Sequence, residues 1–123
     1  MEDISGATMP SRSAPRAVPT PAVFHILLVL AAGDRHGLGI ADEVEAASGG
    51  ALEIGPGTLY RSLSEMADAG LIRGVRAPAV DADPRRKYYR ITPAGRAVVT
   101  AEAERLQRLV DAARQRRILR DPT

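Results

Sequence analysis

Residues 54–72 read Ile-Gly-Pro-Gly-Thr-Leu-Tyr-Arg-Ser-Leu-Ser-Glu-Met-Ala-Asp-Ala-Gly-Leu-Ile, and they decide the fold. Pro56 suits the opening of a helix, where its missing N–H has no partner to lose. Leu59, Leu63, Met66 and Ala67 recur at helical spacing on one face, and Gly70 stands just past the end, where a left-handed residue closes a helix. The opposite face carries Gly57, Tyr60, Arg61, Ser64 and Asp68. Its N-terminal half, together with Thr58, is short, polar and aromatic, with a single arginine. A helix whose start is to approach base edges and phosphates needs such a surface.

Downstream lies Arg85-Arg86-Lys87-Tyr88-Tyr89-Arg90-Ile91-Thr92-Pro93-Ala94-Gly95. Ile72–Arg76 and Arg86–Ile91 can pair as an antiparallel hairpin, with Tyr89 and Ile91 facing inward and Arg86, Tyr88 and Arg90 on the other face. Between them, Ala77–Arg85 holds Pro78, Asp81, Asp83 and Pro84, a polar tip whose aspartates could restrain the arginines in the absence of DNA. A readable helix followed by a basic hairpin is the order of a winged helix-turn-helix, which sets the helix in a groove and the hairpin on the backbone. The expected architecture is mainly α with a small β wing.

Charge is segregated in the same sense. The net +2 of the chain divides into −5 over residues 1–72, +5 over 73–96 and +2 over 97–123. A concentrated basic segment is the footprint of a phosphate-binding surface. Every basic residue but Lys87 is arginine. High-GC codon usage, which the Ala, Gly, Pro and Val content also suggests, is the plainer reading of that bias, and arginine is also the better phosphate fork where it lines a site.

Upstream, Met1–Val18 is rich in Ser, Pro, Ala and Gly without periodicity and reads as a disordered tail over 1–19, with Arg12 and Arg16 offset by Glu2 and Asp3. Thr20-Pro21 opens a first helix, Pro21–Ala32, that is apolar nearly all round. Such a helix asks for burial on more than one side, so Phe24, Leu27 and Leu28 are expected at a partner chain. After Gly33–Gly37, a second helix over Leu38–Ser48 places Ile40, Ala41, Val44 and Ala47 at helical spacing and stops at Gly49-Gly50. Leu52-Glu53-Ile54 alternates like a minimal strand that could pair with the wing. Thr92-Pro93 repeats the helix opening and predicts a last helix to about Leu119. Val99, Ala103, Leu106, Val110 and Ala113 step by four and three along it, the seam of a short coiled coil with a second copy. The domain organisation expected is thus a tail (1–19), a DNA-binding domain (20–92) and a dimerisation helix (93–119).

At 123 residues and 13.1 kDa the chain makes one small domain. No long apolar run spans a membrane, no secretion signal opens the chain, and the absence of cysteine removes disulfides and thiolate zinc sites, which together fit a cytoplasmic protein. His25 lies in an apolar helix and His36 at a turn. Neither has a partner at catalytic or metal spacing, so no enzyme activity, metal or cofactor is expected.

Three motifs resemble the PadR-like transcriptional regulators. Leu27–Ala32 followed by His36-Gly37-Leu38-Gly39-Ile40 resembles the family's first helix and its His-Gly-Tyr-x-Ile motif, with Leu38 in place of the usual tyrosine. Gly55–Leu63 with Gly70-Leu71-Ile72 is similar to the recognition-helix signature, and Arg85–Arg96 to the wing and the start of the last helix. Together they span roughly residues 22–115, and the single C-terminal helix resembles the shorter branch of the family. The resemblance implies a homodimer that binds an imperfect palindrome in double-stranded DNA, usually represses, and is released by a small effector near the dimer interface. With no tryptophan and one phenylalanine, a planar aromatic drug would lack a stacking platform. The DNA-binding set is then Gly57, Thr58, Tyr60, Arg61, Ser64, Arg85, Arg86, Lys87, Tyr88 and Arg90. MarR-like and ArsR-like winged helices are the alternatives among DNA binders, with a protein-interaction module as the alternative outside them. That module would not need four cations clustered on the wing.

Overall fold

The computed structural model describes residues 18–121. Of the tail expected over 1–19, only Val18 and Pro19 fall within this range, so Arg12 and Arg16 lie outside the described residues. Helix α1 (Pro21–Ala31) opens at Thr20, whose hydroxyl accepts the Val23 N–H at 3.2 Å. It buries Ile26, Leu27, Val29 and Leu30. Strand β1 is the two residues Arg35–His36, and α2 (Gly37–Ala47) follows at once, with His36 as its cap. Helix α3 runs over Pro56–Asp68, β2 over Ile72–Val75, β3 over Tyr88–Ile91 and α4 over Pro93–Gln115. The sheet has the order β1-β3-β2, antiparallel throughout, with Ile72 opposite Ile91 and Arg35 opposite Tyr89.

The core is a cluster in which Ile26, Leu27, Leu30, Ile40, Val44, Leu63 and Ile72 are fully buried, joined by Leu59, Met66, Tyr89, Ile91 and Val99. Helix α1 lies at its centre, packed by α2, α4, β3 and, more lightly, α3. This corrects the expectation that α1 needs a partner chain: one small domain encloses most of it. Leu27 is fully buried and Val99 only 5% exposed inside this core, so neither offers surface to a second copy. Phe24 is half-buried against the same cluster, and Leu28 is left exposed.

The strand expected at Leu52–Ile54 does not form, and β1 pairs with the wing instead. Leu52 and Ile54 do turn inward, which is what their alternation encodes, but the Leu52 N–H is taken by the Ser48 hydroxyl at 2.9 Å. Alternation reports which side chains are buried and is silent on which backbone finds a partner. Arg35–His36 is too short to alternate and pairs because the turn after α1 lays it along β3. The paired parts of the hairpin are also shorter than expected, ending at Val75 and resuming at Tyr88.

Helix α4 starts in the core and leaves it. Thr92 caps it by accepting the Gly95 N–H, and its own hydroxyl donates to the Gly70 carbonyl at 2.6 Å, while the Thr92 N–H reaches the Leu71 carbonyl at 3.0 Å. The end of α3 and the start of α4 are therefore stitched together. Over its 23 residues α4 is about 35 Å long. It stops at Gln115, short of the expected Leu119. Arg117 adopts a positive φ of 61°, and the N–H groups of Arg117 and Ile118 turn back to the carbonyls of Arg114 and Ala113. This closure usually takes glycine, and without one the sequence pattern offers no stop before Leu119. Among the described residues no helix is long and apolar enough to cross a membrane.

Candidate nucleic-acid interface

Helix α3 is placed by its apolar back. Leu59, Leu63 and Met66 insert into the core, and Gly70, at φ 79°, lets the chain turn sharply into β2. Gly57, Thr58, Tyr60, Arg61 and Ser64 are thereby left exposed on one face. At Gly37 this face meets α2: a Cβ there would lie 2.8 Å from the Tyr60 hydroxyl oxygen and would push the exposed tyrosine out of this position.

The wing is placed by β3, whose Tyr89 and Ile91 are buried as the hairpin pattern predicts. Arg85, Arg86, Lys87 and Arg90 are exposed and Tyr88 half-buried. A cavity of about 190 Å³ joins the two halves of the surface, lined by His36, Gly37, Leu38, Tyr60, Arg86, Lys87 and Tyr89. Burial raises the Tyr89 hydroxyl above its ordinary value, and nearby Tyr60 adds to the shift. The start of α2, Tyr60 of α3 and the root of the wing therefore line one concavity, which carries the cations Arg86 and Lys87.

The cations differ in how committed they are. Arg90 clamps Asp34, in the turn after α1, with contacts of 2.8, 3.1 and 3.2 Å. Those hydrogen bonds hold the Asp34 carboxyl below its usual range and push Arg90 up. In this state Arg90 ties the wing to the body of the domain. Arg35 pairs with Glu43 in the same region. Arg85 reaches Asp83 at 3.3 Å but stays 90% exposed, whereas Asp81 accepts the Tyr88 hydroxyl rather than an arginine. The hydrogen bond from Tyr88 lowers the Asp81 carboxyl and raises the phenol. Of the two tip aspartates, then, only Asp83 holds an arginine directly. Lys87 rests its ammonium 5.5 Å from the centre of the Tyr89 ring. Among the described residues, Arg61, Arg86 and Lys87 form no ion pair with a carboxylate.

His36 is not marked by spacing, yet it occupies the middle of the concavity. Its Nδ1 accepts the Gly39 N–H at 3.2 Å, its ring meets Tyr88 edge-on at 5.4 Å, and its Nε2 faces Arg86 Nη1 at 3.3 Å. The sequence signal that does touch it is its place at the head of the His36–Ile40 motif, directly before α2. His25, in contrast, is held within α1 by the Pro21 carbonyl at 2.8 Å.

Of the residues expected at a dimer seam, Ala103 is exposed and Leu106, Val110 and Ala113 are partly exposed, all beyond the part of α4 that enters the core. Leu109, 54% exposed, lies on the same distal segment and is not singled out by the seam spacing.

Residues 26–101 match the transcriptional regulator PadR-like family. Among solved structures, a PadR family transcription regulator from Clostridium difficile R20291 is similar at 22% identity, with 78% of this chain and 97% of that one covered and a TM-score of 0.66. A transcriptional regulator from Clostridium thermocellum is similar at 24% identity, covering 76% and 87%, with a TM-score of 0.62. RosR-S4 of H. salinarum, solved in a complex, is 32% identical over 89% of this chain and 90% of its own, with a TM-score of 0.63. No curated protein matches the chain. The first two likenesses carry the fold alone. The match of the whole winged helix, from α1 into α4, takes the place of the MarR-like and ArsR-like alternatives, and the chain belongs to the PadR-like family of transcriptional regulators.

Proposed function

We propose that this protein is a homodimeric, DNA-binding repressor of transcription that recognises an imperfect palindrome and is released by a small effector. The observation that carries the DNA-binding part is the continuous concavity in which the uncommitted Arg86 and Lys87 of the wing stand beside Tyr60 of α3. Helix α3 would enter the major groove by its N-terminal half, with Gly57 and Thr58 allowing close approach and Tyr60, Arg61 and Ser64 reaching base edges and phosphates. Arg85, Arg86, Lys87 and Tyr88 would lie on the backbone, joined by Arg90 once it exchanges Asp34 for a phosphate. The distal half of α4 would pair with a second copy through Leu106, Val110 and Ala113, with Ala103 and Leu28 at its margin. Repression and effector release are supported by family membership.

Two substitutions separate base reading from backbone binding. Arg61→Ala should weaken binding to the operator by about 1–3 kcal/mol, with much less loss on random-sequence DNA, if the guanidinium forks onto a guanine. Equal losses on both would make Arg61 a backbone contact. Replacing Arg85 and Arg86 together with alanine should weaken binding to every sequence alike. The slope of log K against log salt should become shallower by up to about 0.9 for each phosphate no longer neutralised. An unchanged slope in a folded double variant would remove the wing from the interface.

A further inference from the structure

His36 and Arg86 face each other at 3.3 Å across the cavity. The imidazole Nδ1 accepts the Gly39 N–H and so caps α2, which fixes the proton of the neutral ring on Nε2. Nε2–H then points at Arg86 Nη1, itself only a donor, across 3.3 Å. Were Nε2 to accept from Arg86 instead, the proton would move to Nδ1 and the Gly39 N–H would lose its acceptor. Two N–H donors thus converge, an arrangement that an anionic oxygen shared between them would satisfy. Asp81 lies nearby, its carboxyl lowered chiefly by the Tyr88 hydroxyl and further by the charge of Arg86, but its two oxygens take the Tyr88 hydroxyl and the Asp83 N–H, not Arg86 or His36.

We infer that His36 is a DNA-binding residue: its Nε2–H and the Arg86 guanidinium, with Lys87 and Tyr60 lining the same cavity, grip one backbone phosphate of the duplex. The inference rests on the DNA-binding reading and adds to it a specific phosphate pocket with an uncharged donor at its centre. A phosphate oxygen accepts from several donors at once, so it relieves the donor–donor contact without disturbing the cap of α2. The imidazole thereby couples the start of α2 to the wing. An arginine at this position could fill the pocket but has no acceptor for Gly39.

His36→Asn is the discriminating variant, because its amide oxygen still caps α2 while the distal N–H is gone. With random-sequence duplex DNA at low salt, His36→Asn should bind about tenfold more weakly than wild type at an unchanged melting temperature. The double variant with Arg86→Ala should lose less than the product of the two single losses, since both remove the same phosphate grip. In parallel, nitrogen-15 resonances of the wild-type imidazole should show Nδ1 unprotonated, and inorganic phosphate should shift Nε2. Normal DNA binding by a folded His36→Asn, fully multiplicative losses, or an Nδ1–H ring would overturn the inference and leave the DNA-binding reading standing. Wild type that binds no duplex while phosphate still shifts Nε2 would instead sink that reading and keep the phosphate pocket. Failure of both would remove both.

Discussion

Leu106→Glu should turn a dimer into monomers that keep their fold. Helix α4 is anchored in the core only through its first turns, where Gly95, Val99 and Glu102 are buried, and Arg105 covers Glu102 with two contacts of 2.7 Å. Beyond that pair the helix carries Leu106, Leu109, Val110 and Ala113 away from the domain, with Leu109 54% exposed. Burying one leucine side chain stabilises by about 1.5–3 kcal/mol, and a two-fold axis counts each contact twice. The glutamate would remove that burial and set two carboxylates into one apolar seam. Sedimentation at micromolar concentration should give a dimer for wild type and a monomer for the variant, and operator affinity should fall because two half-sites are no longer held at fixed spacing. A monomeric wild type, or a variant that stays dimeric, would assign the distal helix another task.

Among the described glycines, Gly95→Ala should be the most destabilising substitution. An added Cβ would lie 2.1 Å from the Leu71 carbonyl oxygen and 3.0 Å from Ile91 Cγ1. The first of these is backbone, held in place by the Thr92 N–H, and cannot swing aside as a flexible side chain would. Helix α4 would have to lift from the turn between α3 and β2, loosening the two hydrogen bonds of Thr92 to Gly70 and Leu71. Overpacking of this kind costs about 3 kcal/mol, which for a domain of this size is a fall in Tm of more than about 10 °C. A melting curve within a degree or two of wild type would mean that α4 seats differently. Gly74 is a useful contrast, since a Cβ there meets only the end of the Lys87 side chain, at 2.6 Å, which can move.

Where local chemistry determines local structure, the sequence is easy to read. The three helices opened by proline begin where Pro21, Pro56 and Pro93 stand, and the inward pair Tyr89 and Ile91 sets the hairpin's facing. The departures share one physical origin, in that each concerns what a segment packs against, which a single chain does not spell out. Helix α1 is apolar all round, and such a pattern cannot tell burial by four neighbours in one domain from burial by a second copy. Arg90 reads as one more wing cation, and nothing local to it announces Asp34 across 56 residues of chain. His36 stands in a motif shared with the family, but without metal or catalytic spacing the sequence assigns it no chemistry. Its interest comes from Arg86, which only the fold brings within reach.

The central claim, that the α3 face and the wing together form a surface for duplex DNA, is tested most directly by titrating labelled duplex with the wild-type protein across a series of salt concentrations. Arg85, Arg86 and Lys87 on each of two copies, joined by Arg90 where it exchanges Asp34 for a phosphate, would neutralise between about six and eight phosphates, so log K should fall against log salt with a slope between about −5.4 and −7. Absence of binding at about 50 mM salt, or a slope near zero, would contradict the account.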